Sequence, residues 1–421
     1  MTINRRDLLA GASGAAAIAA GLARPARAAA PREGTAPTGV LPARGDFAIP
    51  EGTHYLNSAF IHPMPIAAAD AVRHFLATRT FAEPRVRSGD SIAADVTAQF
   101  AALINARPED ISLVQSTSVA ENLVVNGMGL PGSNATVVTD ALHFDGSLVM
   151  YGELARRGLR VTVVRPRAWR IELDDIARAL DRRTRLVALS LVSWYNGFQH
   201  DLAAVCDLAH AHGAHVYADI IQAAGTMPID VKASGVDFCG CSSFKWLMGD
   251  FGVGFLYVRP GLLDTVIRRS QIGYMQADTT MHYLPTDPPA DTPVTWTMHT
   301  DVAGHFEVGT YAQGAVNALS VSLPYLQRLG PANIEAYRQP LLRRLYEELP
   351  RRGWTPITPP ETRSALASYT LPGAEARFSD RLKAANVAVS LYGDRMRVAP
   401  SVFNDMDDIE ALLAALSCRV P

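Results

Sequence analysis

The chain has 421 residues, 48% of them hydrophobic and 19% charged, with a formal net charge of -2. That length exceeds one ordinary domain and predicts two lobes, and the composition is that of a soluble globular protein, not a disordered one. So balanced a charge gives no reason to expect nucleic acid as a partner.

At the N-terminus, Arg5 and Arg6 precede an alanine- and glycine-rich apolar run to Ala23, and Ala26-Arg27-Ala28 follows. A charged start, a mild apolar stretch and a small-residue cleavage site resemble a twin-arginine export signal. Residues 1–28 are therefore set apart from the fold, with a periplasmic or secreted destination for the rest. The run is too short and too alanine-rich for a stable membrane anchor. Residues 29–50, rich in Ala, Pro, Gly and Arg, are expected to form a flexible leader. The four cysteines, Cys206, Cys239, Cys241 and Cys418, have no disulfide-framework spacing.

Residues 51–332 are expected to form a large α/β lobe. Apolar spacing predicts helices over Ala67–Leu76 and Ile92–Ile104, then a short strand over Ile111–Val114. Gln115-Ser116-Thr117-Ser118 breaks from that strand into a helix, leaving free N–H groups and a positive dipole end for an anion. Thr136–Thr139 is the next strand, with His143 shortly after it. Arg160–Val164 and Leu186–Ser190 are two more, bracketing the helix Leu173–Leu180. A helix over Asp201–His212 leads into the strand His215–Ala218, which ends on Asp219. A strand over Asp237–Ser242 delivers Lys245, and a glycine-punctuated turn over Gly249–Gly254 leads to a strand ending at Val258. This alternation implies a mainly parallel sheet, with ligands collecting beyond the carboxyl ends of its strands. Residues 261–293 read as a loop or insert, Gln313–Leu329 as a helix, and residues 333–421 as a small C-terminal α+β domain.

A carboxylate and a lysine at the ends of two strands are what a pyridoxal 5'-phosphate site needs. The amine condenses with the cofactor's aldehyde as a Schiff base, and the carboxylate keeps the pyridine nitrogen protonated. Asp219, Gln222, Gly225, Ser242, Lys245, Trp246, Gly249, Gly252 and Gly254 follow the pattern D-x-x-Q-x-x-G, then S-x-H-K-W, then G-x-x-G-x-G. In this the chain resembles the class V aminotransferases, fold-type I enzymes that include cysteine desulfurases, kynureninases and isopenicillin N epimerases. It departs from them at Phe244, where the family carries a histidine.

The resemblance implies a fold-type I transferase with Lys245 as the cofactor lysine, Asp219 at the ring nitrogen and Gln222 at the ring hydroxyl. Ser242 joins the cofactor contacts, and His143 is implied to lie flat over the ring. Thr117 and Ser118 would hold the phosphate, although a plain helix cap reads the same way. Thr310, in a stretch similar to R-F-E-x-G-T, would reach the phosphate of a neighbouring subunit in a homodimer with shared sites, or cap a helix. Asn57 lies in a segment that either approaches the substrate or forms a structural turn. Arg397 is implied to bind the substrate α-carboxylate, with its fork pairing through two hydrogen bonds. Arg395 reads as a surface charge, and Arg85 and Arg87 are offered for a second carboxylate. No metal is expected.

A cysteine desulfurase of this family uses a mobile cysteine upstream of the carboxylate arginine, and residues 363–396 contain none. That argues against desulfurase activity. The expected reaction is transamination or epimerisation of an amino acid or peptide-derived amine, in an exported tailoring role. A kynureninase-like lyase, or a cofactor-binding protein without turnover, are the alternatives.

Overall fold

The structure, a computed structural model, describes residues 40–81 and 89–417. The expected export signal, the start of the leader, Arg85, Arg87 and Cys418 lie outside the described residues. Seven short runs form the central sheet: β1 (Ile111–Val114), β2 (Thr136–Asp140), β3 (Arg160–Val164), β4 (Thr184–Ser190), β5 (His215–Asp219), β6 (Phe238–Ser242) and β7 (Gly254–Val258). Their spatial order is β1-β7-β6-β5-β4-β2-β3. The pairs β3/β2, β2/β4, β4/β5 and β5/β6 are parallel, whereas β7 runs antiparallel to both β6 and β1. Strands such as LVALS and FCGCS are apolar or small at every position because both sheet faces are covered.

Helices α1 (Ile66–Thr80) and α2 (Gly89–Leu103) precede the sheet, and α3 (Thr117–Gly127), α4 (Asp145–Arg156), α5 (Leu173–Ala179) and α6 (Leu202–Ala211) alternate with its strands. Helix α7 (Gln313–Leu329) packs on α1 and α2. Phe100 of α2 stacks on Phe255 of β7, with ring centroids 3.9 Å apart. The parallel connections leave the C-terminal ends of β2, β4, β5 and β6 along one edge, which is where a ligand can approach backbone N–H groups and side chains together.

Residues 261–293, expected as a loop, begin an antiparallel hairpin of β8 (Ala277–Met281) and β9 (Val294–Met298). Its Thr-rich alternation suits a two-stranded ribbon, and Trp296 points outward at 64% exposure. Helix α8 (Pro331–Glu348) then enters the C-terminal lobe. There β10 (Thr355–Pro356), β11 (Ala367–Thr370), β12 (Ser390–Tyr392) and β13 (Arg395–Val398) form an antiparallel sheet in the order β10-β11-β13-β12. Helices α9 (Ala374–Ala384) and α10 (Met406–Ala415) cover it over a core that includes Trp354, Tyr369, Phe378, Met396 and Leu412.

The expected flexible leader is ordered by residue 44. Ala43 N–H donates to the Val402 carbonyl, Arg44 pairs with Asp408, and Phe47 is buried against Phe403, centroids 5.0 Å apart. One buried aromatic ring is enough to override the loop-like composition around it. The chain then adds His54–Tyr55 in parallel to Val387–Ala388.

Gly225 of the motif has φ +88, and a Cβ there would lie 2.5 Å from the Trp246 carbonyl oxygen, next to Lys245. Gly152, inside α4, has open space around it. We expect Gly225→Ala to cost about 1–3 kcal/mol through backbone strain and the clash, and Gly152→Ala to gain roughly 0.5–1 kcal/mol from helix propensity. Thermal unfolding of the two variants checks this, and equal shifts would contradict it.

Candidate active site

One cavity of about 120 Å³ gathers Ser116, Thr117, Ser118, Phe144, Ser190, Trp194, Asp219, Ile221, Gln222, Ser242, Phe244 and Lys245. The sheet edge explains the gathering, since Ser190, Asp219 and Ser242 are the last residues of β4, β5 and β6. Ser190 and Asp219 are direct partners across the β4/β5 ladder. Lys245 follows β6 in a turn in which the Met248 N–H donates to the Lys245 carbonyl.

At the phosphate end, Ser116 caps α3 by accepting from the Val119 N–H at 3.2 Å. Thr117 and Ser242 lock to each other. The Thr117 N–H donates to Ser242 Oγ at 2.7 Å, the Ser242 N–H donates to Thr117 Oγ1 at 2.9 Å, and the two hydroxyl oxygens are 2.9 Å apart. This fastens the start of α3 to the end of β6. Ser118 is the exposed member of the three. At the opposite side, the Ile221 N–H donates to Asp219 Oδ1 at 2.9 Å. Gln222 receives the Trp246 indole N–H at 2.8 Å and donates to the Ala59 carbonyl at 3.0 Å, which pins it to the N-terminal segment.

His143 does not line the cavity; its neighbour Phe144 does. The side chain expected over the cofactor ring is held by two hydrogen-bond partners. His143 Nδ1 is 2.8 Å from Oγ of Ser190, which lines the cavity, and Nε2 is 3.1 Å from Glu121 Oε1, which does not. Glu121 is fully buried and also accepts from the hydroxyls of Ser147 and Tyr151. Burial alone would pull His143 down, but the Glu121 carboxylate outweighs it and His143 ends above the ordinary histidine value. Burial likewise opposes the Glu121 charge, yet His143 and the hydroxyl donors bring its carboxyl below the usual range. Phe144 presents its ring to the cavity, edge-on to Trp194 with centroids 6.3 Å apart.

Arg397 is 4% exposed, donates to the Trp194 carbonyl at 2.8 Å and to Ser390 Oγ at 3.2 Å, and has an unpartnered buried Nε. Asn57 joins it indirectly, since Ser390 Oγ donates to Asn57 Oδ1 at 2.6 Å. Neither lines the cavity itself, but the Arg397 charge acts on Lys245. Thr310 is exposed, 2.9 Å from the Tyr274 hydroxyl, and lies outside the cavity of its own chain. Arg395 is corrected from a surface charge to a residue only 9% exposed, packed against Tyr195 and Trp194. Glu121, Phe144 and Ser190 were missed from sequence. Ser190 closes a buried strand and was findable by the rule that found Asp219; a glutamate inside an apolar helix face was the signal for Glu121.

The donor set fits pyridoxal 5'-phosphate. A hydroxyl-rich helix N-terminus, a carboxylate and a desolvated lysine share one small cavity walled by aromatic rings. Burial lowers Lys245 to about 8, against the opposing pull of Asp219 and with the help of Arg397. Burial raises Asp219, while the His143 charge holds it back. In cofactor-free protein, reductive methylation of Lys245 should therefore rise with pH through a midpoint of about 8. Asp219→Asn should move that midpoint lower and Arg397→Gln higher; peptide mapping across pH reads it, and a midpoint at the ordinary lysine value of 10.5 would refute the desolvation. Glu121→Gln should lower the His143 pKa, because burial then acts with only the weaker Asp219 and Asp140 charges against it. Nitrogen NMR of the histidine rings checks the direction.

The aminotransferase class-V family model matches residues 78–403. A cysteine desulfurase of Klebsiella pneumoniae subsp. pneumoniae is 33% identical over 254 residues, 59% of each chain. One from Escherichia coli (strain K12 / DH10B) is 30% identical over 274 residues, 64% of each chain. The match thus spans less than two thirds of those relatives. Among solved structures, the cysteine desulfurase CsdA from Escherichia coli superposes with a TM-score of 0.77 at 22% identity, covering 89% of this chain and 97% of its own. The cystine C–S lyase C-DES, in complex with cysteine persulfide, gives 0.74 at 21%, covering 87% and 97%. A C-DES mutant with glycine covalently linked to its PLP cofactor gives 0.76 at 21%, covering 89% and 98%. These relatives overturn the expectation of an aminotransferase or epimerase, and the argument against a desulfurase with it. Lack of a cysteine in residues 363–396 does not exclude carbon–sulfur cleavage, because the sulfur acceptor need not lie on that loop. Matched over most of its length and carrying the site that its cofactor, pyridoxal 5'-phosphate, requires, the chain belongs to the aminotransferase class-V family and is a fold-type I pyridoxal 5'-phosphate enzyme.

Proposed function

We propose that the protein is a carbon–sulfur lyase of the cysteine desulfurase class, acting on a cysteine-type amino acid. The observation that carries this reading is the desolvated Lys245 amine opposite Asp219, in a chain whose curated relatives include named cysteine desulfurases. When bound, the cofactor supplies a protonated ring that accepts the electron pair left at the substrate Cα. Lys245 would hold the cofactor's aldehyde carbon, and its free amine, which burial lowers to about 8, would take the Cα proton and return it. Asp219 would hold the proton at the ring nitrogen, and the N-terminus of α3 with Ser116, Thr117 and Ser118 would hold the phosphate. Arg397 orients the substrate carboxylate, with Asn57 supporting it through Ser390. Phe144, Trp194 and Phe244 keep water from the reacting carbon.

The three described cysteines are not nucleophiles. Cys206, Cys239 and Cys241 are buried, and burial pushes the Cys206 thiol up to about 12 and the other two well above their ordinary value. The sulfur is therefore passed to a thiol outside these three, giving alanine and a persulfide from cysteine and that thiol.

A homodimer with shared sites, in which Thr310 faces the phosphate bound by a second copy, is part of the same proposal. It is supported by the exposure of Thr310 outside its own cavity. Export through the twin-arginine route is proposed from residues 1–28 alone.

Cofactor-loaded protein given L-cysteine and dithiothreitol should release sulfide and alanine together, and Lys245→Ala should lose both. Amino transfer to a keto acid with the carbon–sulfur bond left whole would sink this reading.

A further inference from the structure

Arg395 and Arg397 sit two positions apart on β13, so their side chains leave the same face of the strand, with Cα atoms roughly 6–7 Å apart. They reach for consecutive carbonyls, Arg397 donating to Trp194 and Arg395 Nη1 donating to Tyr195 at 2.7 Å. The Arg395 guanidinium lies 3.9 Å from the Tyr195 ring centroid, 5.2 Å from Trp194 and 5.5 Å from Tyr392. Stacking of this kind holds the planar fork in one orientation.

What this cation lacks is an anion. Arg395 is 9% exposed, yet among the described residues no carboxylate lies within ion-pair distance of it, and only its Nη1 has a protein hydrogen-bond partner, which leaves its other N–H groups open to solvent or a ligand. Buried charges are ordinarily paired, because removing a charge from water without compensation costs several kcal/mol. The fork lies beside the cavity wall: its centre is 5.2 Å from the Trp194 ring, and Trp194 lines the cavity.

We infer that Arg395 is a second anion-binding group of the substrate pocket, and that the substrate is an amino acid whose side chain ends in an acidic group. Resting on the carbon–sulfur lyase reading, this means a cysteine carrying a carboxylate-terminated substituent on sulfur, with the α-carboxylate at Arg397 and the distal one at Arg395; breaking its Cβ–S bond would pass the substituted sulfur to the acceptor thiol as a mixed disulfide and leave alanine, the thiol's proton going to Cβ. The spacing of the two arginines suits carboxylates separated by about four chain atoms, as in adipate or its thioether equivalent.

Binding of unreactive acids tests the assignment without requiring turnover, so a failure to cleave carbon–sulfur bonds would not be mistaken for its failure. Calorimetric titration of the holoenzyme should find adipate bound about tenfold more tightly than hexanoate, the size of one charge-assisted pair. Arg395→Gln should bring adipate down to the hexanoate level while hexanoate binding is unchanged. Arg395→Lys, which keeps the charge but not the fork, should retain a smaller preference than the parent. Equal affinities in the parent protein, a preference that survives either substitution undiminished, or an equal loss for both acids in Arg395→Gln would overturn it.

Discussion

Desolvation of the Lys245 amine beside the Asp219 carboxylate is the constraint on which the rest of this structure depends. An amine in water holds its proton near pH 10.5; here burial brings it to about 8, where a neutral, nucleophilic form is available. Burial does the reverse to Asp219, and the His143 charge resists it. The two effects require a dry cavity and a sheet edge that brings the ends of β5 and β6 together. That edge exists because all but one of the strands run the same way and helices return the chain over both faces.

The site is closed by parts of the chain distant in sequence. Residues 43–62 run back over the C-terminal lobe and reach the active site at Ala59, whose carbonyl takes a hydrogen bond from Gln222. Asn57, Ser390 and Arg397 form one connected unit between the N-terminal segment and β12/β13. The loop carrying Trp194 and Tyr195 offers its carbonyls to both arginines, so the cavity wall and the cationic groups are held as one piece. The positions of both arginines are thereby tied to the seating of the C-terminal lobe on the large one.

Behind the wall, Glu121, His143, Ser147 and Tyr151 form a buried network that touches the cavity only through Ser190. A histidine placed there supports the field around Asp219 from behind, leaving the face of the cavity to Phe144 and Trp194. The relatives shift the expected chemistry from amino transfer toward carbon–sulfur cleavage without altering the set of groups around Lys245. The same carbanion-stabilising machinery serves each outcome, and the reaction is decided by the leaving group and by what binds the rest of the substrate.

The amino-acid sequence by itself determined the strand-and-helix alternation and the placement of Asp219, Ser242 and Lys245 at or just after strand ends. These follow from local periodicity and backbone sterics, which act over a few residues and are written in neighbouring letters. Only the tertiary structure decided that Phe144 and not His143 lines the cavity, that the expected leader is fastened to the fold from Ala43 onward, that residues 277–298 pair as a hairpin, and that Arg395 is packed among aromatic rings. Each of those depends on which distant side chain arrives opposite: Glu121 draws His143 inward by its charge, Phe403 buries Phe47, and Tyr195 and Trp194 cover a guanidinium that composition alone would leave in water. Such choices are made by burial and charge pairing across hundreds of residues, and no short-range pattern carries them.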